Sequence, residues 1–237
     1  MHNRNLLENH LYFLGSHRGK RESFEQVEFI HSDKPAFNIA FPLSADSVIT
    51  IGSMFHIYLP DWINVNEKTL SGWKKSGSIT YMILSGTKDN WKINNKIIAT
   101  KIGTTADMEN FSLVQGKGFC ESEDDFKEWH PWMREKNMIN ASDTNQHFYV
   151  GYDNEKPVGV CLSIIHNNLL GIYAVATLPE YRKQGVSAAI MKRAINDSQK
   201  SNIRPVTLQV MTNSYAHQFY KRLGFADAFH CDILTHE

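Results

Sequence analysis

The chain has 237 residues, 42% of them apolar and 21% charged, which allows one large domain or two small ones and excludes wholesale disorder. Lysine plus arginine and aspartate plus glutamate each number 25. The zero net charge excludes a general binder of nucleic acid or anionic membrane, which needs a basic surplus, but leaves room for a local basic pocket.

No run approaches the ~20 apolar residues of a membrane span; the richest, Val158 to Ile165, is strand-sized. His2, Arg4, Glu8 and His10 break up any apolar signal-peptide core at the N-terminus. Cys120, Cys161 and Cys231 are odd in number and far apart. They form neither a disulfide framework nor a metal-type pair, so the expectation is a cytoplasmic protein with reduced, buried thiols and no metal.

In chain order, Leu6, Leu7, His10, Leu11 and Leu14 lie at helical spacing, with Gly15 as the stop. Phe24 to Ile30 alternates like a half-buried strand, and Phe37 to Phe41 is a second short strand. Ala45 to Tyr58 is read as a helix despite its β-branched residues. Thr69 to Lys75 is a short helix or turn, and Ile79 to Leu84 a firmer strand before a turn at Ser85-Gly86. The polar stretch from Gly103 to Asn110 reads as a boundary, dividing residues 1–107, a mixed α/β domain, from residues 108–237.

Beyond it the punctuation sharpens. Phe111 to Val114 reads as a short strand. Ser122 and Asp125 have capping-box spacing, and Phe126, Trp129 and Met133 share a face. Pro131 predicts a break into two short helices. Three strands follow, His147 to Tyr152, Pro157 to His166 and Leu170 to Thr177, joined by hairpin-length connections. Val186, Ala189, Ile190 and Ala194 stripe a helix, Pro205 opens a strand to Met211, and Ala216, Phe219, Tyr220 and Leu223 stripe another helix capped by Gly224. Phe225 to Leu234 closes as a strand.

The segment Arg182-Lys183-Gln184-Gly185-Val186-Ser187 joins a strand to a helix. Amides at a helix start lack intrahelical partners, and the helix dipole adds partial positive charge. Gly185 permits close backbone approach, Ser187 brings a hydroxyl, and Arg182 and Lys183 add full charges. This is the chemistry of a phosphate or pyrophosphate cradle; an ordinary loop with solvated charges is the competing reading. Gln115 to Cys120 has similar spacing, but Glu121, Glu123, Asp124 and Asp125 follow it and would repel phosphate. No P-loop, Gly-x-Gly-x-x-Gly or His-Glu-x-x-His occurs.

The run from Val175 to Ser187 resembles the acetyl-CoA motif of the GCN5-related N-acetyltransferase (GNAT) family: Arg or Gln, two residues, Gly, one residue, then Gly or Ala. Arg182 and Gly185 match, and Ser187 departs conservatively. Asn213 after a strand, then Phe219-Tyr220-Lys221-Arg222-Leu223-Gly224-Phe225, resembles the family's second motif. The resemblance covers residues 108–237. It implies an α/β (α+β) acyl-CoA N-acyltransferase fold, a mixed, mostly antiparallel sheet flanked by helices, behind an N-terminal mixed α/β domain that could be a degenerate copy.

The resemblance also implies roles. Acetyl-CoA is the cosubstrate and an amine, small molecule or peptide, the acceptor. Val175, Ala176 and Thr177 would expose backbone groups to the pantetheine arm. The amides of Lys183, Gln184, Gly185, Val186, Ser187 and Ala188 would hold the pyrophosphate, with Arg182 beside it. Asn213 would hydrogen-bond the arm, a role that competes with helix capping. Tyr220 would protonate the departing thiolate; its competing role is a core aromatic. Transfer would be direct, with Cys161 in the core. His166, Tyr173, Glu121 and Glu123 are positional candidates for the base. The first 107 residues would cover the acceptor side or build a homodimer interface, with Trp62, Trp73 and Trp91 as core or interface aromatics. A non-catalytic acyl-CoA sensor or protein-interaction module is the alternative from another class.

Overall fold

The computed structural model describes residues 2–47, 51–84, 91–200, 203 and 205–236. The chain forms two compact units, residues 1–85 with 208–237 and residues 86–207. Both are α+β, and their sheets are mostly antiparallel. None of the described helices is long and apolar enough to cross a membrane.

The first unit opens with helix α1 (His2–His17). It runs through Gly15 instead of ending there. Leu6, Leu7, Leu11 and Leu14 are buried on one side, and Arg18 N–H donates to Leu14 O at 2.8 Å, continuing the turn. The single strand expected over Phe24 to Ile30 is a hairpin, β1 (Lys20–Phe24) and β2 (Val27–His31). Glu25 and Gln26 both take positive φ at its two-residue turn, the geometry usually given to Asn-Gly. Arg21 on β1 bonds Glu8 of α1 at 3.0 Å and Glu28 of β2 at 2.9 Å, tying helix to hairpin.

Pro35–Phe37 forms a 3-10 turn, so the next strand, β3 (Ile39–Pro42), starts later than expected. The helix expected over Ala45 to Tyr58 is also corrected. Residues 48–50 lie outside the described set, and its end is strand β4 (His56–Pro60), in antiparallel register with the last strand of the chain. Ile57, one of the β-branched residues that weakened the helical reading, suits this strand. A 3-10 turn, Glu67–Leu70, precedes β5 (Trp73–Leu84), which contains the expected strand over Ile79 to Leu84. The turn expected at Ser85-Gly86 lies outside the described residues.

The C-terminal segment joins this same unit. β11 (Phe225–His236) pairs antiparallel with β4 on one edge and β5 on the other. Tyr81 of β5 stacks on Phe229 of β11 at 4.1 Å, and its hydroxyl lies 2.7 Å from His10 Nδ1 on α1. First and last segments therefore share one core.

In the second unit β6 (Ile97–Lys101), β7 (Gln146–Asp153), β8 (Lys156–His166) and β9 (Leu169–Thr177) form an antiparallel meander. β10 (Val206–Met211) adds parallel to β9 at Val206 and Thr207, and the division between units falls within it. The strand expected over Phe111 to Val114 is instead part of helix α2 (Thr105–Phe119). Met108, Phe111, Ser112 and Gln115 recur at helical spacing on its buried side, and Thr104 caps it. Position 107/108, read from sequence as the boundary, lies in its first turn. Gln115 to Phe119 completes α2, so the rejected Gly-containing segment is helix, not loop.

Helix α3 (Glu123–Asn140) has the expected capping box at Ser122 and Asp125 but runs unbroken through Pro131. A mid-helix proline costs about 3 kcal/mol. Packing against α2 opposes it: Trp132 and Met133 are buried, and Asn137 Nδ2 donates to Ser112 Oγ at 3.0 Å and Gln115 Oε1 at 2.8 Å. Helix α4 (Val186–Gln199) covers the opposite face. Phe148 of β7 meets Phe111 of α2, whereas Gly151, on the other face by strand alternation, leaves the space that Ile190 of α4 fills.

Candidate active site

The predicted pantetheine stretch follows a bulge. The ladder from β9 to β8 steps from Tyr173–Leu162 to Ala176–Val160, leaving Ala174 and Val175 opposite Cys161. Ala174 takes φ 48°, a conformation a β-carbon disfavours. Such bulges re-aim the end of a strand and collect beside functional sites. Ala176 and Thr177 then pair with Val160 and Gly159 of β8.

After β9 the chain makes a 3-10 turn, Pro179–Tyr181, and enters α4 through two left-handed residues, Lys183 at φ 61° and Gly185 at φ 79°. Gly185 is the N-cap of α4, and no side chain caps that helix. Its first amides therefore retain the anion-binding character of an open helix start. The other side chains of the segment brace the turn. Arg182 donates to Thr177 O at 3.4 Å and to Gly118 O of α2 at 3.0 Å. Gln184 Nε2 donates to Glu180 O at 2.8 Å. The hydroxyls of Ser187 and Thr177 lie 2.7 Å apart, so the residue that departs from the family pattern links α4 to the end of β9. Val186 and Ala188 are buried, while Lys183 is exposed.

Gly185 also permits a close approach by the chain itself. Asn94 N–H donates to Gly185 O at 3.3 Å, and a β-carbon at 185 would sit 2.7 Å from Lys92 O. Gly118 of α2 does the same at the end of β9, where a β-carbon would meet that of Ala176 at 2.8 Å.

In the first unit, helix α5 (Tyr215–Leu223) starts differently. Ser214 caps it, its hydroxyl accepting from His217 N–H at 3.1 Å, which resolves the competition for the cap in favour of Ser214. Asn213, one residue earlier, is exposed at φ 61°, and its N–H donates to His217 Nδ1 at 3.0 Å. His217 Nε2 lies 2.9 Å from Asp227 Oδ1, and Lys221 Nζ 2.9 Å from Asp227 Oδ2. Burial pushes the Asp227 carboxyl up, but the bonds from His217 and Lys221 outweigh it and hold the group below its ordinary value. Tyr220 is 9% exposed and lies between Phe219 and Phe225, with ring centroids at 5.2 and 5.9 Å.

Burial pushes the thiols of Cys161, Cys231 and Cys120 up, so none is poised as a thiolate. Of the base candidates, Tyr173 is buried in β9, His166 ends β8, and Glu121 and Glu123 are exposed at the corner between α2 and α3.

Residues 107–225 match the family model described as the acetyltransferase (GNAT) family. The chain belongs to the GNAT family. An uncharacterized N-acetyltransferase of Methanocaldococcus jannaschii is 30% identical over 135 residues, which cover 52% of this chain and 58% of that protein; the match thus spans little more than half of the relative. Among solved structures, a GCN5-related N-acetyltransferase from Kribbella flavida aligns over 98% of this chain and 95% of its own, with TM-score 0.67 and 12% identity. A functionally unknown conserved protein from Staphylococcus epidermidis aligns over 92% and 94%, with TM-score 0.64 and 16% identity. At these identities the likeness is one of fold, and it includes the N-terminal residues that the family model leaves out.

The turn into this GNAT chain's α4 is legible in the sequence, but three of its supports and neighbours are not. Gly118 drew notice only within the rejected Gln115 to Cys120 segment. His217 and Asp227 carried no signal beyond their types. The segment 92–94 reaches Gly185 only through the fold.

Proposed function

We propose that this protein transfers an acetyl group from acetyl-CoA to a primary amine, directly, within a ternary complex. The observation that carries the reading is the start of α4: an uncapped helix entered through left-handed Lys183 and Gly185, one 3-10 turn after a bulged strand. Its amides, from Lys183 to Ala188, would bind the diphosphate of CoA at low cost, since they are already oriented. Arg182 supports this indirectly by bracing the turn. Backbone groups of Val175, Ala176 and Thr177 meet the pantetheine arm, and one amide there polarises the thioester carbonyl. Asn213 hydrogen-bonds the arm.

In the reaction the amine nitrogen attacks the carbonyl carbon, the carbon–sulfur bond breaks, and the thiolate takes a proton from Tyr220 as general acid. An alkyl amine has a pKa near ~10.4 and must first lose a proton to a base or water. Holding both substrates together supplies much of the rate. The raised thiols favour direct transfer over an acyl-cysteine.

A non-catalytic acyl-CoA sensor is the second reading, favoured by the burial of Tyr220 among aromatic rings. Thiol release from acetyl-CoA, measured against amines, polyamines, amino acids and peptides, separates the two. Turnover with any acceptor supports transfer; binding without turnover across the panel supports the sensor; no binding contradicts both.

A further inference from the structure

The buried His217 has no place in the proposed chemistry, yet its ring bridges Asn213 and Asp227. Asn213 N–H can only donate, so Nδ1 accepts from it at 3.0 Å. The proton therefore sits on Nε2, facing Asp227 Oδ1 at 2.9 Å. Lys221 holds the other carboxylate oxygen at 2.9 Å. The His217 main chain meanwhile donates to the Ser214 cap. The imidazole is 1% exposed, so its tautomer is set by these partners and not by water.

The residue this pair reaches takes a left-handed conformation. Asn213 sits at φ 61°, a region sparsely populated by residues with a β-carbon, although asparagine tolerates it better than most. Two main-chain bonds hold this turn: Ser214 N–H donates to Met211 O at 3.2 Å across it, and Asn213 N–H donates to the His217 ring, which contributes to fixing the Asn213 backbone and with it the direction of its side chain. We propose that His217, oriented by Asp227, is a positioning residue that holds Asn213 in its left-handed conformation so that its amide is presented to the pantetheine arm of the acyl-CoA. This rests on the ligand role of Asn213 proposed above.

A double-mutant cycle on acetyl-CoA affinity, measured by calorimetry on the full chain, tests it. Asn213→Ala should weaken binding by about tenfold, or 1.4 kcal/mol, and His217→Ala by a similar factor. The double variant should bind no worse than Asn213→Ala alone, because His217 acts only through that side chain. A merely structural histidine would weaken binding further in the double variant, and that additivity would overturn the proposal, as would a His217→Ala that binds like the wild type. His217→Asn, which keeps an acceptor near Nδ1, should recover most of the affinity; recovering none contradicts the proposal. An Asn213→Ala that binds like the wild type overturns the ligand role itself, a result distinct from failure at His217 alone. Should His217→Ala not fold, imidazole ¹⁵N shifts of the wild type still decide: a proton on Nε2 is expected from the partners of the ring, and a proton on Nδ1 overturns the proposal.

Discussion

Helices α4 and α5 both begin beside a left-handed residue, and they satisfy their first turns in opposite ways. At α4 the N-cap is Gly185, no side chain caps the amides, and the nearby side chains Arg182, Gln184 and Ser187 bond to other parts of the turn. At α5 Ser214 accepts from His217 N–H, and the His217 ring accepts from Asn213 N–H. The first helix leaves its starting amides without a side-chain cap; the second satisfies its own with Ser214 and His217. A glycine start costs only about a few tenths of a kcal/mol relative to a side-chain cap, and an anion bound there offsets that cost.

The contrast can be broken from either side. The largest expected effect is on chemistry at α5. Tyr220→Phe should lower the turnover number about 100-fold or more while leaving acetyl-CoA affinity within about twofold; unchanged turnover with chemistry rate-limiting would remove the hydroxyl from the mechanism. Next comes the backbone of α4. Gly185→Val places a β-carbon at φ 79° and against Lys92 O, a strain of about 1–2 kcal/mol or more. It should weaken acetyl-CoA at least about tenfold in calorimetry. If affinity holds, the amides of this turn do not form the cradle.

Ser214→Ala should cost about 1 kcal/mol in denaturant unfolding by removing the cap of α5, and no comparable side-chain substitution exists at the cap of α4. A smaller effect comes from Asp227. Its folded pKa is depressed, so the stability it contributes is in place above the unfolded value of about 3.9 and is lost as pH falls below that through the folded value. Acid titration of Asp227→Asn should show a shallower loss of stability in that window than the wild type. Equal slopes would mean the bonds to His217 and Lys221 contribute nothing.

Legibility followed the range of the interactions. The turn into α4, the Gly224 stop of α5 and the Asn167-Asn168 hairpin rest on residues adjacent in sequence, whose types suit the conformations they adopt. The hairpin at Glu25-Gln26 has the same backbone geometry as the one at Asn167-Asn168 without the residue types that announce it. Pro131 was misleading because the bonds that keep α3 whole come from Ser112 and Gln115 on another helix. Phe111 to Val114 looked like a strand because Gly116 and Gly118 hid the end of a helix whose packing needs them small. The first 85 residues were hardest: β5 finds its partner in β11, more than a hundred positions away, and no local pattern encodes that pairing.

The central claim is that the uncapped start of α4 binds the diphosphate of acetyl-CoA. Calorimetric titration with acetyl-CoA and with acetyl-pantetheine, which keeps the thioester and arm but lacks the diphosphate, tests it directly. The account predicts that acetyl-CoA binds at least about 100-fold more tightly; equal affinities, or no binding of acetyl-CoA, would contradict it.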